Sequence, residues 1–201
     1  MTYAIPKSLS FENFIAQYGD NTNYELIEGE LREMEPTGPH EAVAGNIAGR
    51  IYVEILQAQL NWLVPKNCLI KPLAAEATAL RPDVVVLDKK SLKDELWWQN
   101  EPIICNGKTI QLVAEVMSSN WQDDYARKVE EYALLNIPEY WIVDFRGLGG
   151  LQFIGKPKQP TFTVCSLVDG VYAQQQYRLG EAIASPLLPN LQLQLNDLMP
   201  N

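Results

Sequence analysis

The chain has a single histidine, His40, and this scarcity removes several chemistries at once. A His-Cys zinc site, an HExxH pair and a histidine-metal nuclease motif all need residues that are not there. A Ser-His-Asp triad would have to use His40, and no GxSxG turn accompanies it. No P-loop glycine pattern occurs, so ATP-driven chemistry has no support. The three cysteines, Cys68, Cys105 and Cys165, form no CxxC pair and leave an odd number for any disulfide scheme. They read as reduced and structural. Apolar runs of about 18 residues or more are missing, and Met1-Thr2-Tyr3-Ala4-Ile5-Pro6-Lys7 has neither a basic nor a long apolar region. The expectation is a cytoplasmic protein that does not enter membranes.

Basic residues are also in short supply. Lys and Arg number 16 against 25 Asp and Glu, a formal net charge of -9. Counterion release from phosphates needs clustered Lys and Arg, so this balance argues against a protein that coats nucleic acid indiscriminately. A local basic groove remains compatible with it, with Arg81, Arg127 and Lys128 as candidates, and part of the acidic excess would be metal ligands. At 201 residues and 47% hydrophobic, the chain suffices for one sizeable core rather than two. One domain spanning residues 1–201 is expected.

What the chain does contain is two carboxylates set inside apolar, β-branched runs. One is Asp83, in Arg81-Pro82-Asp83-Val84-Val85-Val86-Leu87; the other is Glu115, in Leu112-Val113-Ala114-Glu115-Val116-Met117. Each reads as a charge on a buried strand, which is costly unless something pairs with it. A divalent metal held between them would be a common partner.

The periodicities around them give an α+β order. Ser10 can cap a short helix from Phe11 to Tyr18, with Glu12 near its positive end. Tyr24 to Ile27 and Leu31 to Met34 flank Glu28-Gly29-Glu30, a hairpin signal. Val43, Ile47, Ile51 and Ile55 recur every four residues and predict the longest helix, packed across a sheet. Leu69-Ile70 and Val84 to Leu87 read as strands, followed by a long polar loop from Asp88 to Lys108 that carries Trp97-Trp98. Ile110 to Val116 reads as a central strand. Asp123 or Asp124 can cap a helix running through Leu135, which Pro138 stops, and Tyr140 to Val143 forms another buried strand. From Leu151 onward, strand-like pieces such as Phe162 to Val164 and Val171-Tyr172 alternate with Gly and Pro turns.

Several of these pieces, in order, resemble a known family: Tyr24 to Leu31, Pro36-Thr37-Gly38-Pro39-His40, Arg81 to Val84, Glu115 to Ser118, Asp124 to Tyr132, and Pro138 to Asp144. The chain is similar to the restriction-endonuclease-like family of bacterial proteins within the PD-(D/E)XK nuclease superfamily. The resemblance covers roughly the first three quarters of the chain. It implies a restriction-endonuclease-like core, a mixed central sheet flanked by helices, here with an added N-terminal hairpin and C-terminal strands. It also implies a metal-dependent endonuclease acting on DNA as a homodimer, with Mg²⁺ as cofactor and Mn²⁺ as an alternative. Asp83 and Glu115 would be the ligands. The superfamily's lysine lies two residues after the acid, where alternation puts both side chains on one face. That position is Met117, so the resemblance moves the lysine to the following helix as Lys128, where it would orient the attacking water.

Blander readings stand beside these. Asp83 can simply open a strand, Glu115 can pair with a core Arg such as Arg81, and Lys128 can form a solvated i,i+4 pair with Asp124. Glu25 and Glu41 are additional candidates for metal or water ligands, and helix-start stabilisation or plain exposure accounts for them equally. His40 reads as a loop or helix-start residue rather than a general base. Trp97, Trp98 and Trp121 read as core or interface anchors before base-stacking platforms. A module that keeps the nuclease fold but only binds nucleic acid or protein is the competing function.

Overall fold

The computed structural model describes residues 8–34, 36–73, 75–118 and 123–200. Its first helix, α1 (Phe11–Tyr18), starts where Ser10 accepts the Asn13 N–H, as the capping residue requires. A hairpin follows, β1 (Tyr24–Ile27) and β2 (Glu30–Glu33), with Glu28 and Gly29 both at positive φ in its two-residue turn. The long helix α2 (Gly38–Gln57) is capped by Thr37 and buries Val43, Ile47, Ile51 and Ile55 on one stripe. After it come β3 (Trp62–Leu63), β4 (Leu69–Ile70), β5 (Val84–Asp88), β6 (Ile103–Ile104) and β7 (Ile110–Val116). A π-helical turn (Asp123–Arg127) leads into α3 (Lys128–Leu134), then β8 (Glu139–Asp144), the short α4 (Leu151–Ile154), β9 (Thr161–Val168) and β10 (Val171–Tyr177).

The architecture is mixed α+β around a six-stranded sheet of order β10-β9-β8-β7-β5-β3. All neighbours are antiparallel except β7 and β8, which run parallel and are joined through α3. Strand alternation divides the core. Val84, Val86, Leu112, Ala114, Val116 and Trp141 pack under α2 and the C-terminal leucines, whereas Val85, Leu87, Val113, Met117, Tyr140 and Ile142 pack with Tyr132 of α3. A third cluster seats Phe11 and Phe14 of α1 on Leu26, Leu69 and Ile103.

Three sequence expectations are corrected. The segment from Asp88 to Lys108 is not one loop: Ser91–Asp94 and Gly107–Thr109 form 3₁₀ turns, and β6 pairs in parallel with β4. Ile103–Ile104, two residues following a proline, carry too little pattern to mark a strand within a polar segment. The helix expected from Asp123 or Asp124 begins as a π-helical turn instead, and regular α-helix starts only at Lys128. Finally, the expected strand pieces at Phe162 to Val164 and Val171-Tyr172 lie in β9 and β10, but the segment starting at Leu151 opens with a short helix instead. The C-terminal Leu188, Leu191, Leu193, Leu195 and Leu198 then close the core on the α2 side. Trp121 lies outside the described residues.

Candidate active site

Sheet register brings the two carboxylates to one cleft. Val84 of β5 faces Ala114 of β7, so continuing that antiparallel ladder by one residue sets Asp83 opposite Glu115. Directly opposed residues on one face have Cβ atoms about 4.5–5.5 Å apart. Alternation sends both toward the face shared by Val85 and Val113. Asp83 sits just before β5 with its side chain 20% exposed, so it is at the rim of the core. Glu115 is 3% exposed, and its buried-strand reading holds.

Among the described residues, each carboxylate has an oxygen tied to the protein. Asp83 Oδ2 accepts the Val116 N–H at 2.7 Å and lies 3.3 Å from His40 Nε2. Glu115 Oε1 accepts the Tyr132 hydroxyl at 2.7 Å and lies 3.1 Å from Lys128 Nζ. Lys128 and Tyr132 are four residues apart on α3, one turn, which is why one helix face reaches the same oxygen twice. Lys128 is only 4% exposed, so the solvated-pair reading of this lysine does not describe it. Its ammonium also lies 3.7 Å from Glu25 Oε2 on β1, a third acid that the hairpin brings in. Met117, where the superfamily's strand lysine would be, is fully buried in the core.

Arg81 does not pair with Glu115. Its guanidinium donates to the carbonyls of Tyr24 and Gly19, and its backbone N–H donates to Glu25 Oε2. It therefore pins α1 and the hairpin to the entry of β5. Arg127 is likewise engaged, 2.8 Å from Glu28. Glu41 is at the start of α2, exposed, 3.8 Å from His40 Nδ1.

His40 belongs to the start of α2, as expected, but its ring enters the site beside Asp83. Nε2 stands 3.0 Å from the Val116 carbonyl oxygen as well as near Asp83. Both partners are acceptors, so Nε2 carries the proton. Burial pulls the imidazole's pKa down, but the Asp83 carboxylate, the Val116 carbonyl and Glu41 outweigh it, and the net direction is up. Nδ1 is buried without a hydrogen-bond partner among the described residues. No local pattern flags this residue; only the register of α2 over the sheet does.

Glu25, His40, Glu41, Arg81, Asp83, Glu115 and Lys128 line a cleft of about 510 Å³ that also takes in Asn23, Arg32, Lys66, Asn67, Ser118 and Arg146. A family model described as "Uma2: Putative restriction endonuclease" matches residues 11–196. The chain belongs to the Uma2 family. No curated protein matches it. The crystal structure of a protein described as "a putative nuclease belonging to DUF820", from Anabaena variabilis ATCC 29413, superposes with a TM-score of 0.70. The match covers 94% of this chain and 97% of that one at 15% identity, a likeness of fold. Among the described residues no helix is long and apolar enough to cross a membrane. All three cysteines are buried and free, and burial pushes the Cys68 and Cys165 thiols up to about 12, consistent with inert core residues.

Proposed function

We propose that this Uma2-family chain is a Mg²⁺-dependent endonuclease that hydrolyses phosphodiester bonds in DNA. One observation carries the reading: Asp83 and Glu115 flank the paired Val84 and Ala114 of β5 and β7 and line one cleft, while a buried lysine, Lys128, stands 3.1 Å from Glu115. Glu25, Asp83 and Glu115 gathered with Lys128 and a raised-pKa histidine at one point of the cleft are a poor way to stabilise a core, because each buried charge carries a desolvation cost.

The donor set suits Mg²⁺. Among the described residues no group of three His, Cys, Asp or Glu is placed to hold a metal by protein alone. Mg²⁺ needs no such cage, since it is commonly held by one or two carboxylates with waters and substrate phosphate completing its shell. Asp83 and Glu115 would supply those oxygens. Bound there, the ion supplies Lewis acidity toward the phosphate and lowers the pKa of a coordinated water.

The chain's own residues do the rest. The Val116 N–H and His40 hold Asp83 by Oδ2, and Tyr132 and Lys128 hold Glu115 by Oε1. Holding the two acids in this way preorganises the pair, as outer hydrogen bonds do in metal sites. The Lys128 ammonium, between Glu115 and Glu25, orients the attacking water and offsets charge building on the phosphate. Cleavage of both strands of a duplex needs two such sites, which a twofold homodimer provides.

A second reading has one observation in its favour: Lys128 is held by two carboxylates, Glu115 and Glu25, as in a purely structural ion pair. In that case the chain is a binding module that retains the nuclease fold. Calorimetric titration with Mg²⁺ and Mn²⁺ separates the two. The endonuclease reading expects saturable binding that is lost in Asp83→Asn; an absence of binding in the unsubstituted protein supports the module.

A further inference from the structure

An acidic pair repels the phosphate it is meant to cleave unless positive charge is placed to either side. In this cleft two of the five cations are spent on the protein itself: Arg81 on backbone carbonyls and Lys128 on Glu25 and Glu115. Arg32 is paired with Glu30 at 2.8 Å. Lys66 and Arg146 remain. Both are exposed, both line the cleft, and among the described residues neither has a carboxylate within ion-pair distance, whereas Arg32, Arg50, Lys108 and Arg127 each do.

Topology places these two at the same end of the sheet as the acids. β3 is antiparallel to β5 with Leu63 opposite Leu87, so the chain leaving β3 runs toward the start of β5, where Asp83 lies. β8 is parallel to β7, so Arg146, just past Asp144, follows the end of β8 beside the end of β7 that bears Glu115. Across this sheet end the order is therefore Lys66, Asp83, Glu115, Arg146. Neighbouring strands lie about 4.8 Å apart, so the elements carrying the two cations are separated by three such steps, about 14 Å, with the acidic pair midway. The cleft's other acids, Glu33 and Glu41, are on β2 and α2, not on the strands that carry the cations.

We propose that Lys66 and Arg146 bind the phosphates flanking the scissile one, so that a single nucleic-acid strand crosses the open end of the sheet from β3 to β8 over Asp83 and Glu115. This rests on the endonuclease reading and adds the path and the substrate contacts. Asn67 beside Lys66 adds a neutral donor at the same end of the cleft. The ligand is a phosphodiester backbone, read without regard to base sequence, because cations on phosphates carry no sequence information.

The test is fluorescence anisotropy of a short fluorescein-labelled single-stranded DNA across a salt series, with Ca²⁺ replacing Mg²⁺. Each phosphate contact contributes about 0.7 to the slope of log affinity against log salt for single strands. Lys66→Gln and Arg146→Gln should each flatten the slope by about that amount, and the double variant by about twice as much. Mn²⁺ affinity measured on the same variants should not change, and Lys93→Gln, outside the cleft, should keep the original slope. Unaltered slopes in both cleft variants, or an equal change in Lys93→Gln, would overturn the path while leaving the metal site standing. Failure of the unsubstituted protein to bind DNA at all would overturn the path together with the endonuclease reading.

Discussion

Asp83 and Lys128 respond differently to substitution because they are held differently. Asp83→Asn removes charge from a rim position, and the asparagine carbonyl can still accept the Val116 N–H that Oδ2 accepts now. The variant should keep the thermal stability of the parent to within about 1 kcal/mol, the scale of a single hydrogen bond, while losing metal binding. Differential scanning calorimetry with and without Mn²⁺ reads both; a variant that still gains stability from the metal would remove Asp83 from the ligand set. Lys128→Met is the opposite case. It leaves Glu25 and Glu115, both buried, without the cation between them. Breaking a buried pair in this way costs about 3–5 kcal/mol, against about 0.3–0.5 for a solvated i,i+4 pair. Urea denaturation distinguishes the two, and a loss under 1 kcal/mol would mean that α3 does not carry the lysine into the site.

The acids were legible from sequence because a carboxylate inside a β-branched run is costly unless something pairs with it. Their pairing rested on register, which the ladder from Val84 and Ala114 supplies and a sequence does not. His40 and Tyr132 were missed as members of the site for the same reason: a lone histidine at a helix start and a tyrosine on an apolar helix face look like any others. Buried acids elsewhere show why charge alone is an incomplete guide. Glu95 accepts the N–H groups of Cys105 and Asn106 and the Thr109 hydroxyl, and Glu139 accepts from Trp141, Ser185 and Leu187, so both are structural anchors.

At the scale of elements, the fold's job is to hold α3 and the hairpin against the ends of β5 and β7. Gly107 is one place where this depends on a missing side chain: a Cβ there would lie 1.7 Å from the Leu135 carbonyl oxygen, just past α3. Gly107→Ala must push the 3₁₀ turn and α3 apart, at the upper end of the about 1–3 kcal/mol typical of overpacking, and should weaken Mn²⁺ binding as Lys128 and Tyr132 shift. Chemical denaturation and calorimetry on the variant check both. Glu139 fastens the C-terminal segment to β8. Burial raises its pKa above the ordinary 4.5 although hydrogen bonds from Ser185, Trp141 and Leu187 pull the other way. With the folded value above the unfolded one, the folded state holds the extra proton, so stability falls as pH rises through that interval and is level above it. Glu139→Gln should abolish this part of the pH dependence in urea titrations. An unchanged slope would place the titration elsewhere. Periodicity revealed the long elements, α2 and β7 among them, whereas β6 and the π-helical turn before Lys128 depend on tertiary pairing.

Across the whole molecule, the surplus of acids is spread over the surface while the cleft carries cations in equal number to its acids, five of each. The acidic total thus excludes indiscriminate coating without excluding a directed nucleic-acid site. The proposed homodimer makes a separate statement about the surface. The aromatic loop is the contact candidate: Leu96 is 86% exposed and Trp97, edge-on to Phe11, is 38% exposed. Light scattering at micromolar concentration should report close to twice the 22.7 kDa chain mass, and Trp97→Ala should shift it toward one. A strict monomer would confine the chain to cutting one strand at a time.

The central claim is that Asp83 and Glu115 form a metal site that cleaves phosphodiester bonds. Its most direct test is conversion of supercoiled plasmid to nicked or linear DNA by the purified protein in Mg²⁺, run beside Asp83→Asn. The account predicts conversion that needs the metal, is abolished by chelation and falls by at least about 100-fold in Asp83→Asn, the upper range for disturbing a metal's immediate surroundings. Equal conversion by both proteins, or none by the unsubstituted protein at saturating Mg²⁺ and Mn²⁺, would contradict it.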